Sequence, residues 1–180
     1  KIENKFDFSS QIDLKETSFK IDFLDFKKND KSKTQIKISG NYDTQDSLHL
    51  KNLSILNKDN KLIIKNVFLD QENLIEKIDE ANLEFFDKQD KKNKVLLKKI
   101  NDNEYQINGS VFNANKLIDN LLENKKNKDS KLFKNDFKLN LNIREVYLDS
   151  KNIINNLIGK LNVRNNEIYT SDISGDFDNQ

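Results

Sequence analysis

The sequence predicts a mainly β protein: a long antiparallel meander forming a twisted, curved sheet or groove, with an apolar inner face and one short helix. Three observations carry this expectation. Apolar residues recur at every second position in run after run, as in Phe137, Leu139, Leu141 and Ile143, which is the period of a half-buried strand. The runs are short, and stretches rich in Asn, Asp and Lys, residues suited to turning a chain, separate them. The rhythm becomes helical in one place, at Leu117, Ile118, Leu121 and Leu122, so a short helix is expected at about 113–123.

Taken in order, Phe6 and Phe8, then Ile12 and Leu14, alternate with polar residues around Ser9-Ser10. Phe19, Ile21 and Phe23 keep the alternation, whereas Leu24 and Phe26 fall in the opposite phase, a slip that a β-bulge produces. The polar run Lys27 to Lys33 is expected to turn. Ile36, Ile38, Gly40 and Tyr42 form the next strand, closed by Asp43 to Asp46. Leu48 and Leu50, then Leu53 and Ile55, follow with another phase slip, and Asn57-Lys58-Asp59-Asn60 is a hairpin signal from which Leu62 to Leu69 returns.

From Asp70 to Ala81 the pattern suits a short turn or helix entering a strand, because Leu74, Ile75 and Ile78 fit a helical turn while Ile78 also leads into Leu83 and Phe85. Asp87 to Asn93 is a charged hairpin tip, Val95 and Leu97 return, and Asn101-Asp102-Asn103 turns into Tyr105, Ile107, Gly109 and Val111. After the helix, Asn124 to Lys131 is a charged connection. Phe137 to Ile143 follows, with Val146 and Leu148 in shifted phase, and then Ile154 to Val163 and Ile168 to Phe177 across the Arg164-Asn165-Asn166 turn. Ten to twelve strands in sequence order are expected, apolar on one face and carrying Lys, Asp and Asn on the other.

Composition limits the function classes. With Lys+Arg 31 against Asp+Glu 30, the net charge is +1, so the chain lacks the basic excess that holds phosphate backbones, and no nucleic-acid partner is expected. Hydrophobic residues at 35% and charged residues at 34% make it more polar than a typical domain, at about 45–50% and about 25%. Disorder is opposed by 12 Phe and 4 Tyr placed periodically. The absence of Cys suits either redox compartment. No apolar run approaches the roughly 20 residues needed to span a bilayer. Because it starts at Lys1 and not at methionine, the chain is expected to be one segment, residues 1–180, of a larger protein.

Catalytic chemistry has no foothold in the sequence. His49 is the only histidine and lies between Leu48 and Leu50, facing away from them; it can neither complete a multi-histidine metal site nor serve as a base without a placed nucleophile. Asp43 with Asp46, and Asp176 with Asp178, lack EF-hand spacing, and acids are too numerous for any pair to mark glycoside hydrolysis. There is no phosphate loop, nucleophile elbow or Cys motif. The expectation is a protein that is not an enzyme, with no cofactor and no metal. Lys125, Lys126 and Lys128 beside the helix suit a solvated loop or an anionic surface, and the helix itself is too short to hold a membrane.

Ile38-Ser39-Gly40-Asn41-Tyr42, Ile107-Asn108-Gly109-Ser110-Val111 and Ile173-Ser174-Gly175-Asp176-Phe177 share the form Ile-x-Gly-x-apolar and use three of the four glycines. Two readings stay open: each glycine leaves a gap in the apolar face, as in a repeated multi-strand unit, or each allows a bulge.

The run Tyr105 to Leu122, a charged gap, Phe137 to Ile143, Val146-Tyr147-Leu148, and Leu157-Ile158-Gly159-Lys160-Leu161 through Ile173-Ser174-Gly175 resembles the AsmA-like family of the bacterial envelope, with most likeness to the large YhdP-type proteins. In that group a strand ending in a Gly-Phe-like step leads to a small helix, and long antiparallel strands follow. The likeness covers about residues 60 to 177. It implies a periplasmic β-groove, anchored in the inner membrane of a Gram-negative cell through a part outside this segment, that conducts phospholipid toward the outer membrane. Its implied partners are phospholipid acyl chains, neighbouring β-groove segments of the same chain, and a membrane touched by parts outside this segment. No catalytic residue carries over.

A one-sided sheet with one short helix must fold onto itself or leave an apolar trough. Such a trough is expected to be lined by Phe19, Ile21, Phe23, Ile36, Ile38, Tyr42, Leu83, Phe85, Val95, Leu97, Ile107, Val111, Phe137, Leu139, Leu141, Ile143, Leu161, Val163, Ile173 and Phe177, with groove glycines Gly40, Gly109 and Gly175. The alternative is a structural or binding β-module, a sandwich or solenoid of a cell-envelope or surface protein, whose apolar face is packed shut.

Overall fold

A computed structural model describes residues 5–28, 31–43, 47–115, 133–149 and 151–179, apart from the side chains of 23, 47 and 179. Among the described residues there are twelve strands: β1 (Lys5–Leu14), β2 (Phe19–Ile21), β3 (Phe26–Lys28), β4 (Thr34–Asp43), β5 (Ser47–Leu56), β6 (Lys61–Leu69), β7 (Ile75–Phe86), β8 (Lys92–Asn101), β9 (Glu104–Asn113), β10 (Phe137–Tyr147), β11 (Asn152–Arg164) and β12 (Glu167–Asn179). Ten of them make one open sheet in the order β1-β4-β5-β6-β7-β8-β9-β10-β11-β12, and β2 pairs only with β3. The chain is mainly β, and its long sheet is mostly an antiparallel meander that does not close into a barrel.

Turn chemistry explains how the meander folds back. Asn57 Oδ1 accepts the backbone N–H groups of Asp59 at 3.0 Å and Asn60 at 2.8 Å, closing the β5–β6 hairpin. Asp70 Oδ1 accepts from the N–H groups of Glu72 and Leu74, both at 2.9 Å, so the 70–74 stretch is a side-chain-pinned turn and Ile75 begins a strand. Asn165 and Asn166 adopt left-handed backbone between β11 and β12, with φ of 51° and 63°, a conformation Asn tolerates better than most residues.

Two departures from a simple meander matter. β9 and β10 pair in parallel, with Ile107 opposite Leu141 and Gly109 opposite Ile143. A parallel pair requires a crossover of a dozen or more residues, and 114–136 supplies it. Asn115 is helical, while most of the helix expected at 113–123, and Lys125, Lys126 and Lys128, lie outside the described residues. The second departure is the phase slip after Phe23. It is no bulge in a long strand: Asp22–Leu24 form a 3-10 turn capped by Asp25 at φ 51°, and β2 and β3 fold back as a hairpin. β3 also takes up Lys27 and Lys28, which the sequence assigns to a polar turn.

The other slips are aligned changes of phase. β5 changes between Leu50 and Leu53, β6 at Asn66 (φ 50°), and the pairs Leu50 with Val67 and Leu53 with Ile64 stay in step across them. β11 changes at Asn156 (φ 54°), where its register against β12 shifts. Adjacent strands bulge at the same level, so one face remains apolar throughout.

Burial is concentrated in two clusters on that face. Phe26 of β3 packs with Ile55, Leu62 and Phe85, joined by Phe19, Ile21, Leu24, Ile36 and Leu83. Ala114 packs with Ile143, Val146 and Leu157, joined by Ile107, Phe112, Leu141, Leu148 and Ile154. The chain exposes 12043 Å², about a third more than the roughly 9,000 Å² of a compact monomer of 21.1 kDa.

Candidate functional site

The feature with a chemical character of its own is the apolar face. Following strand partners, one row runs Ser10, Ile38, Leu53, Ile64, Ala81, Leu97, Ile107, Leu141, Gly159, Ile173, crossing all ten strands of the sheet. A parallel row two residues along runs Ile12, Ile36, Ile55, Leu62, Leu83, Val95, Gly109, Ile143, Leu157. On the opposite face, the row Ser9, Ser39, Asn52, Lys65, Glu80, Lys98, Gln106, Asn140, Lys160, Asp172 is polar from end to end. Strict alternation along each strand places these rows on opposite sides, and it yields one face suited to hydrocarbon and one suited to water.

Eleven of the twenty residues expected to line a trough fall into these two rows or the one beside them. Ile36, Leu83, Val95 and Ile143 share one, Ile38, Leu97, Ile107, Leu141 and Ile173 the next, and Leu139 and Leu161 pair beside Tyr105 in a third. Phe137 pairs with Val163, and Phe177 with Ile154. Phe19 and Ile21 sit in the β2–β3 hairpin and cover the face where Phe85 is buried. The Phe23 side chain lies outside the described residues. Val111 stands opposite Lys94 and Glu145 at the phase change, and its neighbour Phe112 joins the cluster. Tyr42, Ile173 and Phe177, near the two edges of the sheet, are 48%, 48% and 60% exposed, so the face is open there. Leu53, Ile55, Leu62, Ile64 and Ala81 belong to the same rows though they are absent from the expected lining; following the phase slips strand by strand identifies them.

Both readings of the glycines have a part. Gly40 and Gly109 stand at register shifts in their strand pairs, and Gly175 faces the bulge at Asn156. None has positive φ. Space is what they provide: a Cβ on Gly109 would stand 2.8 Å from Val95 Cγ1 and 3.2 Å from Ile143 Cγ2, and one on Gly175 would meet Ile154 Cγ2. The neighbouring methyl groups fill the gaps, and a Cβ on Gly40 would strike the backbone carbonyl of His49.

One end of the face is closed by a polar node. Asp87, 5% exposed, accepts the N–H groups of Gln89 (2.8 Å) and Lys91 (3.0 Å) on Oδ1, and the Nδ2 groups of Asn93 (3.2 Å) and Asn113 (2.7 Å) on Oδ2. Asn93, 1% exposed, accepts the Asn113 N–H at 2.7 Å in return. Asp87 also bridges to Phe26, so the node joins the β7–β8 turn, the end of β9 and the covering hairpin. Beside it lies a cavity of about 830 Å³ whose lining includes Lys28, Lys33, Lys58 and Asp59.

Elsewhere polar groups pair with one another or with rings. His49 stacks on Phe68 with ring centroids 4.0 Å apart, and its Nε2 lies 3.2 Å from Asn66 Oδ1. On the polar face, the Lys65 ammonium bonded to Glu80 at 2.9 Å holds that carboxyl below its usual range, and the amides of Asn140 and Asn101 do the same for Glu104. Among the described residues no three of His, Cys, Asp and Glu gather as a metal site, and no helix is long and apolar enough to cross a membrane. Comparison with known proteins finds no matching family model, no matching curated protein and no matching solved structure.

Proposed function

We propose that the chain is a stretch of an apolar β-groove that conducts phospholipid, as the resemblance to AsmA-like envelope proteins implies. On that reading it works in the periplasm, is tied to the inner membrane through parts outside this segment, and passes lipid toward the outer membrane between neighbouring groove segments. The observation that carries the proposal is the apolar row from Ile38 to Ile173, which crosses nine successive strands of a face that, among the described strands, only the short β2–β3 hairpin covers, beside Phe85. Carrying a 16-carbon acyl chain through water would expose CH₂ groups worth about 0.8 kcal/mol each, on the order of 10 kcal/mol in all. A row of Ile and Leu removes most of that barrier while the headgroup stays hydrated. The direct test is mass spectrometry of organic extracts of the folded, purified chain. Phospholipid bound in stoichiometric amount, and lost in Leu141→Asp, is the expected result; a folded chain that carries none refutes the reading.

A second reading, a structural or binding β-module, is favoured by one observation: Phe26 and Phe85, 0% and 1% exposed, fill the face beneath the β2–β3 hairpin. It requires the same filling along the whole face, and then extracts of the folded chain contain no lipid.

A further inference from the structure

Three segments meet at the end of the sheet where Asp87 is buried: the β5–β6 turn at 57–60, the β7–β8 turn at 87–91, and the chain that leaves the covering hairpin at Lys27 and Lys28. They line the cavity of about 830 Å³, within the roughly 300–1,000 Å³ of small-molecule sites. Its walls are tied to one another. Asn60 Oδ1 accepts the Phe86 N–H at 2.8 Å, the Lys88 N–H donates to the Asp25 carbonyl at 3.0 Å, and the Lys88 ammonium lies 2.8 Å from Asp25 Oδ1. Asp87 and the buried Asn93 brace the β7–β8 turn from within. A ligand therefore meets walls already held in place, and little ordering opposes its binding.

The lining is basic in a chain that is otherwise balanced. Lys+Arg 31 stand against Asp+Glu 30 in the whole sequence, but Lys27, Lys28, Lys31, Lys33, Lys58 and Lys88 line the cavity against Asp59, Asp87 and Asp90. With Asp30 added, which the sequence places between Lys28 and Lys31, the lysines still outnumber the acids. Both oxygens of Asp87 are already occupied by donors of the protein itself. Lys28 is 1% exposed, and its ammonium donates to the Thr17 carbonyl at 2.6 Å, which fixes that charge in the wall. Among the described residues Lys27, Lys33 and Lys58 meet no carboxylate at ion-pair distance, so their charges are available to a ligand.

Cations of one sign around a concave site raise the local potential and gather anions. Hydrogen bonds from ammonium groups to phosphate are short and roughly twice as strong as neutral ones. A phosphate ester offers three strong acceptor oxygens in different directions, which matches ammonium groups arriving from separate segments, whereas a carboxylate offers two in one plane. We propose that this cavity binds a phosphate ester, with Lys27, Lys33 and Lys58 on its oxygens and Lys28 and Lys88 adding charge from fixed positions. The phosphate belongs either to a soluble ester or to a lipid headgroup, and the site rests on its own cavity and charge whether or not the apolar face carries lipid.

The test uses the purified 180-residue chain and a matched pair of probes, glycerol 3-phosphate and dihexanoyl phosphatidic acid below its micelle concentration, with glycerol as the uncharged control. Titration calorimetry reads affinity, and amide shifts in NMR spectra locate the ligand. Saturable binding is expected to shift residues within 31–33, 57–60 and 86–90, and to weaken at least about tenfold when Lys27→Gln, Lys33→Gln and Lys58→Gln are combined. The same loss of three charges at exposed Lys37, Lys138 and Lys160, on β4, β10 and β11, is expected to change affinity less than about twofold. Circular dichroism checks that both variants fold, and the shifts in the unaltered chain decide independently of them. Equal affinity for the two probes identifies a soluble ester, and tighter binding of the lipid, or of the lipid alone, identifies a headgroup; either result upholds the site. No saturable binding of either probe to the folded chain, shifts centred outside the cavity, or an affinity undiminished in the cavity variant or reduced as much in the control variant, overturns the proposal.

Discussion

Replacing Asp87 by alanine removes one carboxylate that holds together three parts of the fold. Its two oxygens accept four hydrogen bonds of 2.7–3.2 Å, from the Gln89 and Lys91 backbone and from the Asn93 and Asn113 amides. Hydrogen bonds to a charged group are worth about 1.5–3 kcal/mol each, and a buried donor left without a partner costs about 1–3 kcal/mol. The four are shared by one side chain and do not add, so a total loss on the order of 3–5 kcal/mol is expected. Set against a domain stability of about 5–15 kcal/mol, that is a large fraction. Asp87→Asn keeps an oxygen for the two backbone donors but turns an NH₂ toward the two asparagine amides, and is expected to cost about half as much. Urea denaturation followed by circular dichroism measures both, with the exposed Asp59→Ala as a control that moves stability by less than about 0.5 kcal/mol. A loss below about 1 kcal/mol for Asp87→Ala would refute the view that this carboxylate ties the β7–β8 turn to β9 and the hairpin.

Phe26→Ala is expected to cost about 3–5 kcal/mol in the same assay, because the ring is 0% exposed and meets Phe85 edge-on at 5.8 Å; a cost typical of a surface site would show that the hairpin does not cover the sheet. Gly109→Val drives a methyl-bearing carbon toward Val95 Cγ1, 2.8 Å from the Cβ position, and toward the Lys94 carbonyl at 3.0 Å, and is expected to cost about 1–3 kcal/mol; a neutral result would mean that the row is empty at this position. Acid sensitivity has a defined sign: backbone N–H donors, that of Leu74 foremost, hold the Asp70 carboxyl below its ordinary value, and the Asn152 amide holds that of Asp149 down likewise. Their contribution is present above the unfolded value near pH 4 and is lost as pH falls through the lower folded values, so the urea midpoint should be level from about pH 7 to 5 and fall below about 4. Asp149→Asn should flatten that fall, and an unchanged slope would remove Asp149 from the account.

Alternation made the strands legible. Phe137 to Ile143 reads as a strand whatever surrounds it, because a period of two places Phe137, Leu139, Leu141 and Ile143 on one side. Direction is invisible to alternation, which is why the parallel pairing of β9 with β10 could not be read, although the long connection after Asn113 permits it. Phase slips were visible but ambiguous. The slip at Leu24 arises from a 3-10 turn and that at Lys51 from a bulge, and the two look the same in one dimension. That ambiguity kept Leu53, Ile55, Leu62 and Ile64 out of the expected lining and put Val111 there in place of Phe112. The Asp87 node was hidden for another reason: an aspartate in a charged turn has no local mark of burial, and its partners Asn93 and Asn113 come from different strands.

Site-specific photocrosslinking tests the lipid-groove reading most directly. A photoreactive amino acid placed singly at Leu97 or Leu141, in the apolar row, and at Leu96 or Asn142, on the opposite face, samples the two sides of the same strands. The account predicts phospholipid adducts, identified by mass spectrometry of the irradiated protein, at Leu97 and Leu141 and none at Leu96 and Asn142. Adducts at all four positions, or at none while the chain is folded, would contradict it.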